Sequence, residues 1–250
     1  MPDLSSVRRE RIWIIGASDG IGAALASAWA GPGIELILSA RSKERLDTLA
    51  NHLGADNKVL PLDVSDKAQL ETAANSILAD GPLDRIVNLA ALYDPGMVAD
   101  LDPEMAARIV SVNLTGSFHV AQVAKRLLRP RGQLVLCGSV AGYIGLPVGQ
   151  IYSASKAGVI NLAESLRTEW AGQIDVRLIS PGFVDTRLTR KNDFVMPALT
   201  TPQYAARAII AGLEGRRFEI HFPRRLTCSL KLLRALPYWA SLPMLRRLIA

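Results

Sequence analysis

The alternation of short apolar runs with longer amphipathic stretches is the feature that most constrains the fold of this chain. The short runs are apolar throughout, as in strands buried on both faces, and the stretches between them repeat apolar residues at helical spacing. The predicted strands are Arg11–Ile15, Glu35–Ser39, Lys58–Leu62, Arg85–Leu89, Gln133–Cys137, Val176–Ile179 and Phe218–His221. The predicted helices are Ile21–Ala30, Lys43–His52, Lys67–Ala79, Pro103–Leu128, Gln150–Trp170 and Pro202–Leu213.

This order of elements predicts an α/β fold with a doubly wound parallel sheet of about seven strands and helices on both faces. Since 49% of the 250 residues are hydrophobic, the chain can bury a large core. No linker or repeat interrupts the pattern, so we expect residues 1–223 to form one domain and residues 224–250 a helical extension of it. Ligands of such sheets bind beyond the carboxyl ends of the strands.

A glycine-rich turn, Gly16-Ala17-Ser18-Asp19-Gly20-Ile21-Gly22, joins the first predicted strand to the first helix. Gly16 permits a tight turn, Gly20 lets a ligand approach the backbone, and Gly22 allows the helix to pack closely. The free amides at the start of the helix can bind phosphate oxygens. The position favours a dinucleotide site. The spacing differs from the commoner Gly-x-Gly-x2-Gly, however, and a merely tight turn is the alternative.

Arg41 stands just beyond the second predicted strand, where an acidic residue would bind the 2′-hydroxyl of an adenosine ribose. A guanidinium at that point suits a 2′-phosphate, so the sequence favours NADP over NAD. Two observations keep the question open. Asp19 lies in the neighbouring turn and could repel the phosphate, and Arg41 could be a solvated residue at the start of the next helix.

Tyr152 and Lys156 lie four residues apart in a predicted helix and therefore project from one face. The pKa of a free tyrosine is about 10, and a nearby ammonium group would lower it. Such a tyrosine could give a proton to a carbonyl oxygen or take one from an alcohol. Ser139, which follows the fifth strand, could hold that oxygen. The alternative is a chance helical pair with a structural role.

Taken together, these motifs resemble the short-chain dehydrogenase/reductase family, in its compact single-domain branch, over about residues 11–222. That family has a Rossmann-like, dinucleotide-binding fold. The resemblance implies a catalytic tetrad of Asn113, Ser139, Tyr152 and Lys156. The cofactor contacts that it implies are Gly16, Ser18, Asp19, Gly20, Ile21, Arg41, Asp63, Val64, Asn88, Ala90, Tyr152, Lys156, Pro181, Gly182, Val184 and Thr186.

The resemblance also implies a role for each member of the tetrad. Tyr152 is the acid/base, and Lys156 lowers its pKa and binds the nicotinamide ribose. Ser139 orients the substrate oxygen, and Asn113 holds a water that relays protons. The implied function is an NAD(P)-dependent oxidoreductase acting on a carbonyl or secondary alcohol, with NADP(H) favoured over NAD(H). A catalytically silent, dinucleotide-binding regulatory protein is the alternative, and an epimerase or dehydratase is a third option.

Two segments are expected to border the substrate. The family places a lid at Phe183–Thr201, and residues 140–146 follow Ser139 and are mostly apolar, which favours a hydrophobic substrate. The composition of the lid fits either an apolar substrate with an anionic end or a solvated loop with a few apolar anchors. Its basic and apolar residues are Arg187, Arg190, Lys191, Leu188, Phe194, Val195 and Met196.

The net charge of +6 belongs entirely to the C-terminal end, because every acidic residue lies at or before Glu219. Such a localised charge does not suggest a nucleic-acid partner. Pro237 and Pro243 are expected to break the extension into short helices. It could pack on the protein or on a partner subunit, cover the substrate pocket, or lie on an anionic membrane surface. Its basic residues are Arg224, Arg225, Lys231, Arg234, Arg246 and Arg247.

Cysteine usage and hydropathy predict a cytoplasmic location, with peripheral membrane contact through the extension as an option. Cys137 and Cys228 are too few for a disulfide framework. The N-terminal residues lack the apolar region of a signal peptide, and no run approaches the roughly eighteen apolar residues of a membrane span.

Two further expectations concern metals and assembly. His52, His119 and His221 are scattered without ligand spacing, so no metal site is predicted. The resemblance implies a homodimer or homotetramer formed through the helices at Pro103–Leu128 and Gln150–Trp170.

Overall fold

Seven strands form one parallel sheet in a computed structural model that describes residues 8–54 and 57–247. The strands are β1 (Glu10–Ile15), β2 (Ile34–Ser39), β3 (Asn57–Val59), β4 (Leu83–Asn88), β5 (Leu128–Cys137), β6 (Asp175–Pro181) and β7 (Glu219–Phe222). Their spatial order is β3-β2-β1-β4-β5-β6-β7, and each neighbouring pair is parallel. The predicted doubly wound α/β fold is confirmed.

Helices cover both faces of this sheet. They are α1 (Gly20–Trp29), α2 (Lys43–Leu53), α3 (Lys67–Ala79), α4 (Pro103–Val110), α5 (Gly116–Leu127), α6 (Gln150–Glu169), α7 (Pro202–Glu214), α8 (Arg224–Ala235) and α9 (Tyr238–Arg247). A π-helical turn, Ser111–Thr115, joins α4 to α5, and two short 3₁₀ turns lie at Val140–Gly142 and Thr189–Lys191.

Burial on both faces explains why the strand sequences are apolar without alternation. In β1, Trp13 and Ile15 point into a cluster with α3, α5 and α6, whereas Ile12 and Ile14 point into a second cluster with α1, α2 and α7. All four side chains are at most 1% exposed. Each buried side chain of this size stabilises the fold by about 1.5–3 kcal/mol relative to an exposed one.

The direction of winding reverses beside β1. The chain passes from β1 to β2 and β3 on one side and then crosses to β4 on the other, so Ile15 lies between Ser39 and Asn88. The backbone remains paired just past the strand ends, since Leu89 N–H donates to the Ile15 carbonyl at 2.8 Å and Gly16 N–H donates to Ser39 at 2.7 Å. A crevice therefore opens at the carboxyl ends of these strands, as expected for a ligand site.

Several element boundaries differ from the sequence prediction; the fifth strand, for example, begins at Leu128 instead of Gln133. The third strand ends at Val59 instead of Leu62, because Pro61 has no N–H to continue the ladder, although Leu60 and Leu62 still donate to β2 and its end. The single helix predicted at Pro103–Leu128 is divided by the π-helical turn, and its last residue, Leu128, belongs to β5.

The extension forms α8 and α9, and the expectation that Pro243 breaks it is wrong. Pro237 does separate the two helices, but Pro243 lies inside α9 on its exposed side, where only one helical hydrogen bond is lost. Buried Ser241 and Leu245 anchor this helix on either side of the proline. No helix among the described residues is long and apolar enough to cross a membrane. Residues 1–7, where the predicted domain starts, and 248–250, where the extension ends, lie outside the described residues.

Candidate active site

A cleft of about 840 Å³ lies at the carboxyl ends of β1, β2, β4, β5 and β6. The loops that leave these strands bring together residues from the whole length of the chain. The predicted site residues that line the cleft are Gly16, Ser18, Asp19, Gly20, Ile21, Arg41, Asp63, Val64, Ala90, Ser139, Tyr152, Lys156, Pro181, Gly182, Val184 and Thr186. Asn88 and Asn113 are not part of this lining, and both lie behind it.

The glycine turn forms a cradle that side chains would fill. Gly16 has a φ of +88°, and a Cβ there would lie 2.7 Å from the Ala90 nitrogen. A Cβ on Gly22 would lie 2.1 Å from the Gly16 carbonyl oxygen, so α1 packs closely against the turn. Asp19 caps α1 by accepting a hydrogen bond from Gly20 N–H at 2.7 Å. These close backbone approaches at a helix start fit the diphosphate of a dinucleotide.

Three arginines and one carboxylate surround the cleft near the end of β2. Asp19 lies 3.1 Å from Arg187 Nε and 3.6 Å from Arg45 Nη1, so two cations balance its charge. Arg41 is exposed, lines the cleft and makes no ion pair within the described part of the chain. The excess of positive charge at this end suits an anionic group, and the repulsion expected from Asp19 is compensated locally.

Asn88 braces the strands instead of lining the cleft. Its amide donates to Ser117 Oγ at 3.1 Å, and its carbonyl oxygen accepts from Ala90 N–H at 3.2 Å, with the side chain 2% exposed. The residues at the end of β3 are held differently: Asp63 Oδ1 accepts from both the amide and the hydroxyl of Ser65. Asn88 therefore acts on the cleft through the loop of Ala90, whose backbone it fixes.

Ser139, Tyr152 and Lys156 meet on the other side of the cleft. Ser139 caps the 3₁₀ turn after β5, and its Oγ accepts from Ala141 N–H at 3.1 Å. Lys156 is 2% exposed, and its Nζ donates to the Cys137 carbonyl at 2.7 Å while lying 5.7 Å from the centre of the Tyr152 ring. One turn of α6 thus carries a phenol and an ammonium side by side, as the spacing predicts.

Burial governs the ionisation of this pair. It raises the pKa of the Tyr152 phenol, Cys137 adds to the rise, and the hydrogen bond of Ser139 opposes it. Burial also lowers the pKa of the Lys156 ammonium. The lowering of the Tyr152 pKa by Lys156 that the family resemblance implies stays a prediction, since in this structure burial is the main influence on the phenol.

Asn113 lies in the π-helical turn and is completely buried. Its carbonyl oxygen accepts from Leu92 N–H at 2.7 Å, and its amide donates to the Leu92 carbonyl at 2.9 Å and to Ser155 Oγ at 3.0 Å. These bonds fix the loop after β4 against α6, beside Tyr152. Both amide hydrogens are used in this way, and the implied proton relay through Asn113 stays a prediction.

The segment Phe183–Thr201 closes one side of the cleft. Its ends pair at Val184 and Thr200, and Leu188 lines the cleft while Val195 is 95% exposed. Its basic residues are all paired with carboxylates: Arg187 with Asp19, Arg190 with Asp185, and Lys191 with Asp94. No basic residue of this segment is therefore left unpaired to bind an anionic end of a substrate, which was one interpretation of its composition.

Residues 140–146 do not line the cleft, contrary to expectation. Val140 and Ile144 pack instead against Leu230, Leu233 and Leu245 of α8 and α9, because the inner face of the extension offers them an apolar surface. The extension therefore packs on the body of the protein. None of its residues up to Arg247 is part of the lining of the cleft.

Sequence reasoning missed Tyr93 and Arg45. The Tyr93 ring meets that of Tyr152 edge-on, with centroids 4.8 Å apart, and its hydroxyl donates to Asn192 Oδ1 at 2.7 Å. Tyr93 thus connects the lid segment to the reactive tyrosine. Neither residue belongs to a spaced motif, so only long-range contacts identify them. Within residues 8–54 and 57–247, no group of three or more His, Cys, Asp or Glu side chains is arranged to hold a metal ion.

Comparison with known proteins agrees with this geometry. The sequence profile of the family described as short chain dehydrogenase matches residues 10–194. The chain is 33% identical to the 3-oxoacyl-[acyl-carrier-protein] reductase FabG of Escherichia coli over 71% of its length and 74% of that protein. It is 29% identical to an uncharacterized oxidoreductase of Staphylococcus epidermidis over 84% of its length and 93% of that protein.

Solved structures are similar over most of the fold. An alcohol dehydrogenase from the archaeon Thermococcus sibiricus, complexed with 5-hydroxy-NADP, superposes with a TM-score of 0.77 at 26% identity and covers 86% of this chain and 96% of its own. An actinorhodin polyketide ketoreductase with NADPH also has a TM-score of 0.77, at 25% identity, covering 86% of this chain and 95% of its own.

Replacing Asn113 with alanine is expected to destabilise the protein as well as its site. The substitution leaves the Leu92 amide and carbonyl without their partner, which costs about 2–4 kcal/mol in the free energy of unfolding. Urea denaturation followed by circular dichroism measures this cost. The control is Asn161→Ala on the exposed side of α6, which should change the free energy by less than about 0.5 kcal/mol. An Asn113→Ala protein as stable as the wild type would show that these bonds contribute nothing.

Proposed function

The chain belongs to the short chain dehydrogenase family, and on that premise we propose that it reduces the carbonyl group of a hydrophobic substrate with NADPH, using Tyr152 as the proton donor. The coarser statement is secure: it is a nicotinamide-dependent oxidoreductase acting on CH–OH or C=O groups. One observation carries the finer proposal. A single cleft joins the glycine cradle to Ser139, Tyr152 and Lys156.

The reaction follows from the two sides of that cleft. A bound dihydronicotinamide supplies the hydride for the carbonyl carbon. Tyr152 gives its phenolic proton to the carbonyl oxygen, which becomes the alcohol, and the phenolate recovers a proton from solvent. Ser139 holds the same oxygen by a hydrogen bond. Lys156 stabilises the transient phenolate, and the buried surroundings strengthen that attraction.

Cofactor preference is proposed from the charges near the end of β2. Arg41 has no carboxylate partner within the described residues and faces the cleft, so it can pair with a 2′-phosphate. Arg45 lies on the next turn of α2 and contributes a second cation. Two similar solved structures hold NADPH or 5-hydroxy-NADP, which supports the same preference here.

The proposed substrate is apolar because the side chains that line the substrate side of the cleft are apolar. Ala91, Leu92 and Leu188 line it together with the Tyr93 ring, whereas the nearby basic residues of the lid are already paired. The carbonyl would reach Tyr152 between these side chains. The roles of Asn88 and Asn113 in this proposal are to position the loop that carries Ala90 to Leu92.

The proposal includes a homodimer or homotetramer formed through α4, α5 and α6, as the family resemblance implies. Phe118 on α5 supports it, since its side chain is 48% exposed. Beside it, His119 Nδ1 is buried without a hydrogen-bond partner among the described residues. A second copy of the same helices could cover the Phe118 side chain and give the His119 ring a hydrogen-bond partner.

Replacing Tyr152 with phenylalanine is expected to lower kcat for carbonyl reduction by about 10²–10⁴, because the proton donor is lost while the ring remains. Steady-state NADPH oxidation with a panel of apolar ketones measures the loss. Tyr93→Phe is the matched control: it removes only the bond to Asn192 and should cost less than about tenfold. Equal activity of wild type and Tyr152→Phe would refute the mechanism, and NADPH binding without turnover in the wild type would favour the regulatory alternative.

The pH dependence of the rate is expected to differ between carbonyl reduction and alcohol oxidation. Burial raises the pKa of Tyr152 above its usual value of about 10, so the phenol stays protonated at neutral pH. Carbonyl reduction needs that proton and should keep a constant kcat/KM from about pH 6 to pH 9. Alcohol oxidation needs the phenolate and should rise about tenfold per pH unit over the same range. A reduction rate that falls with an apparent pKa near 7 would contradict this assignment.

Replacing Arg41 with alanine is expected to raise the KM for NADPH by about 10–100-fold, because a charged hydrogen bond to the 2′-phosphate is lost. The KM for NADH should change little, since NADH has no such phosphate. Initial rates with both cofactors measure the difference. Arg207→Ala on the exposed side of α7 controls for a general loss of positive charge. Parallel losses with both cofactors in Arg41→Ala would rule out the proposed contact.

A further inference from the structure

The outer surface of the C-terminal extension is both apolar and basic. Leu232 of α8 is 68% exposed, and Tyr238, Trp239 and Leu242 of α9 are 64%, 79% and 54% exposed. The opposite sides of the same helices hold buried Leu230, Leu233 and Leu245. The helices are thus apolar on two sides, and the inner side alone accounts for their packing on the protein. We call the four exposed residues the apolar patch.

Exposed cations without anionic partners lie on the same two helices as the apolar patch. Arg224, Arg225, Arg234 and Arg246 are exposed, and none forms an ion pair with a carboxylate within the described residues. The extension contains no acidic residue of its own. Among the residues that the structure describes, the one ion pair of the extension joins Lys231 to Glu219 of β7, on the inner side. The outer surface therefore combines a net positive charge with large apolar side chains.

We propose that this surface binds an anionic lipid bilayer, with α8 and α9 lying in the plane of the interface. Trp and Tyr side chains favour the boundary between headgroups and acyl chains, and a basic amphipathic helix lies there with its apolar side about 5–10 Å deep. The arginines pair with lipid phosphates at the same depth. No helix among the described residues can span the bilayer, so the attachment is peripheral.

Charge distinguishes a bilayer from a second copy of the chain. In a two-fold symmetric dimer the same patch would meet itself and bring the arginines of both copies together. Neither copy could offset them, because the extension has no carboxylate. An anionic surface removes this repulsion and covers the apolar patch in the same step. The proposal does not depend on the reaction assigned above.

The test is co-sedimentation of the full chain with vesicles of phosphatidylcholine alone or with added phosphatidylglycerol. The expected result is binding to the anionic vesicles that weakens as salt is raised, and little binding to the neutral ones. Arg225→Gln with Arg246→Gln should weaken binding by about fivefold for each arginine. The matched control, Arg207→Gln with Arg216→Gln, changes the same charge on the body and should bind like the wild type.

A second pair of variants tests the apolar patch. Tyr238→Ser with Trp239→Ser should weaken binding by about tenfold or more, whereas Met97→Ser with Val98→Ser removes exposed apolar side chains elsewhere and should not. Thermal melting checks that all variants fold, which is expected because every substituted side chain is exposed. Equal binding to neutral and anionic vesicles, or equal binding of all variants, would overturn the proposal. So would an oligomer, seen by analytical ultracentrifugation, that only the Tyr238/Trp239 variant loses.

Discussion

The close approach of the glycine turn to the loop after β4 is the contact on which the site depends. A Cβ on Gly16 would collide with the Ala90 backbone, so the two loops can meet at the reversal of strand order only with glycine there. Asn88 and Asn113 then fix the second loop from behind. The cofactor cradle and the substrate side of the cleft are consequently parts of one backbone arrangement. A change in either loop would be transmitted to the other.

Much of the fold, and the pairing of Tyr152 with Lys156 on one helix, could be predicted because both depend on local sequence. Strands buried on both faces require continuous apolar runs, and Tyr152 and Lys156 need only helical spacing to project together. The missed features depend on contacts between distant segments. Arg187 pairs with Asp19, which lies far away in the sequence. Tyr93 contacts Tyr152 only because the fold brings the loop after β4 against α6. The π-helical turn was missed because its five residues are too few to show a change of apolar period.

The ionisation of the reactive pair shows why proximity alone is a poor guide to a pKa. The sequence places an ammonium beside a phenol, which by itself lowers the pKa of the phenol. Folding buries Lys156, partly buries Tyr152 and gives Lys156 a neutral carbonyl as its hydrogen-bond partner. Desolvation raises the pKa of the Tyr152 phenol, and the hydrogen bond of Ser139 opposes that rise. A tyrosine that keeps its proton is suited to protonating a carbonyl oxygen, which agrees with the proposed direction of the reaction.

The extension contacts the segment after Ser139 with its inner side and is exposed on its outer side. Its inner leucines pack on Val140 and Ile144, which lie one and five residues after Ser139. Lys231 and Tyr143 both donate hydrogen bonds to Glu219. Burial alone would raise the pKa of Glu219, yet these bonds hold it below its usual range and keep the carboxylate charged. Ser139, to which we assign the substrate oxygen, therefore lies next to a segment supported by the helices that we propose to bind lipid. If α8 and α9 bind a bilayer as proposed, an apolar carbonyl compound dissolved in that bilayer would approach the protein from the side on which these helices lie.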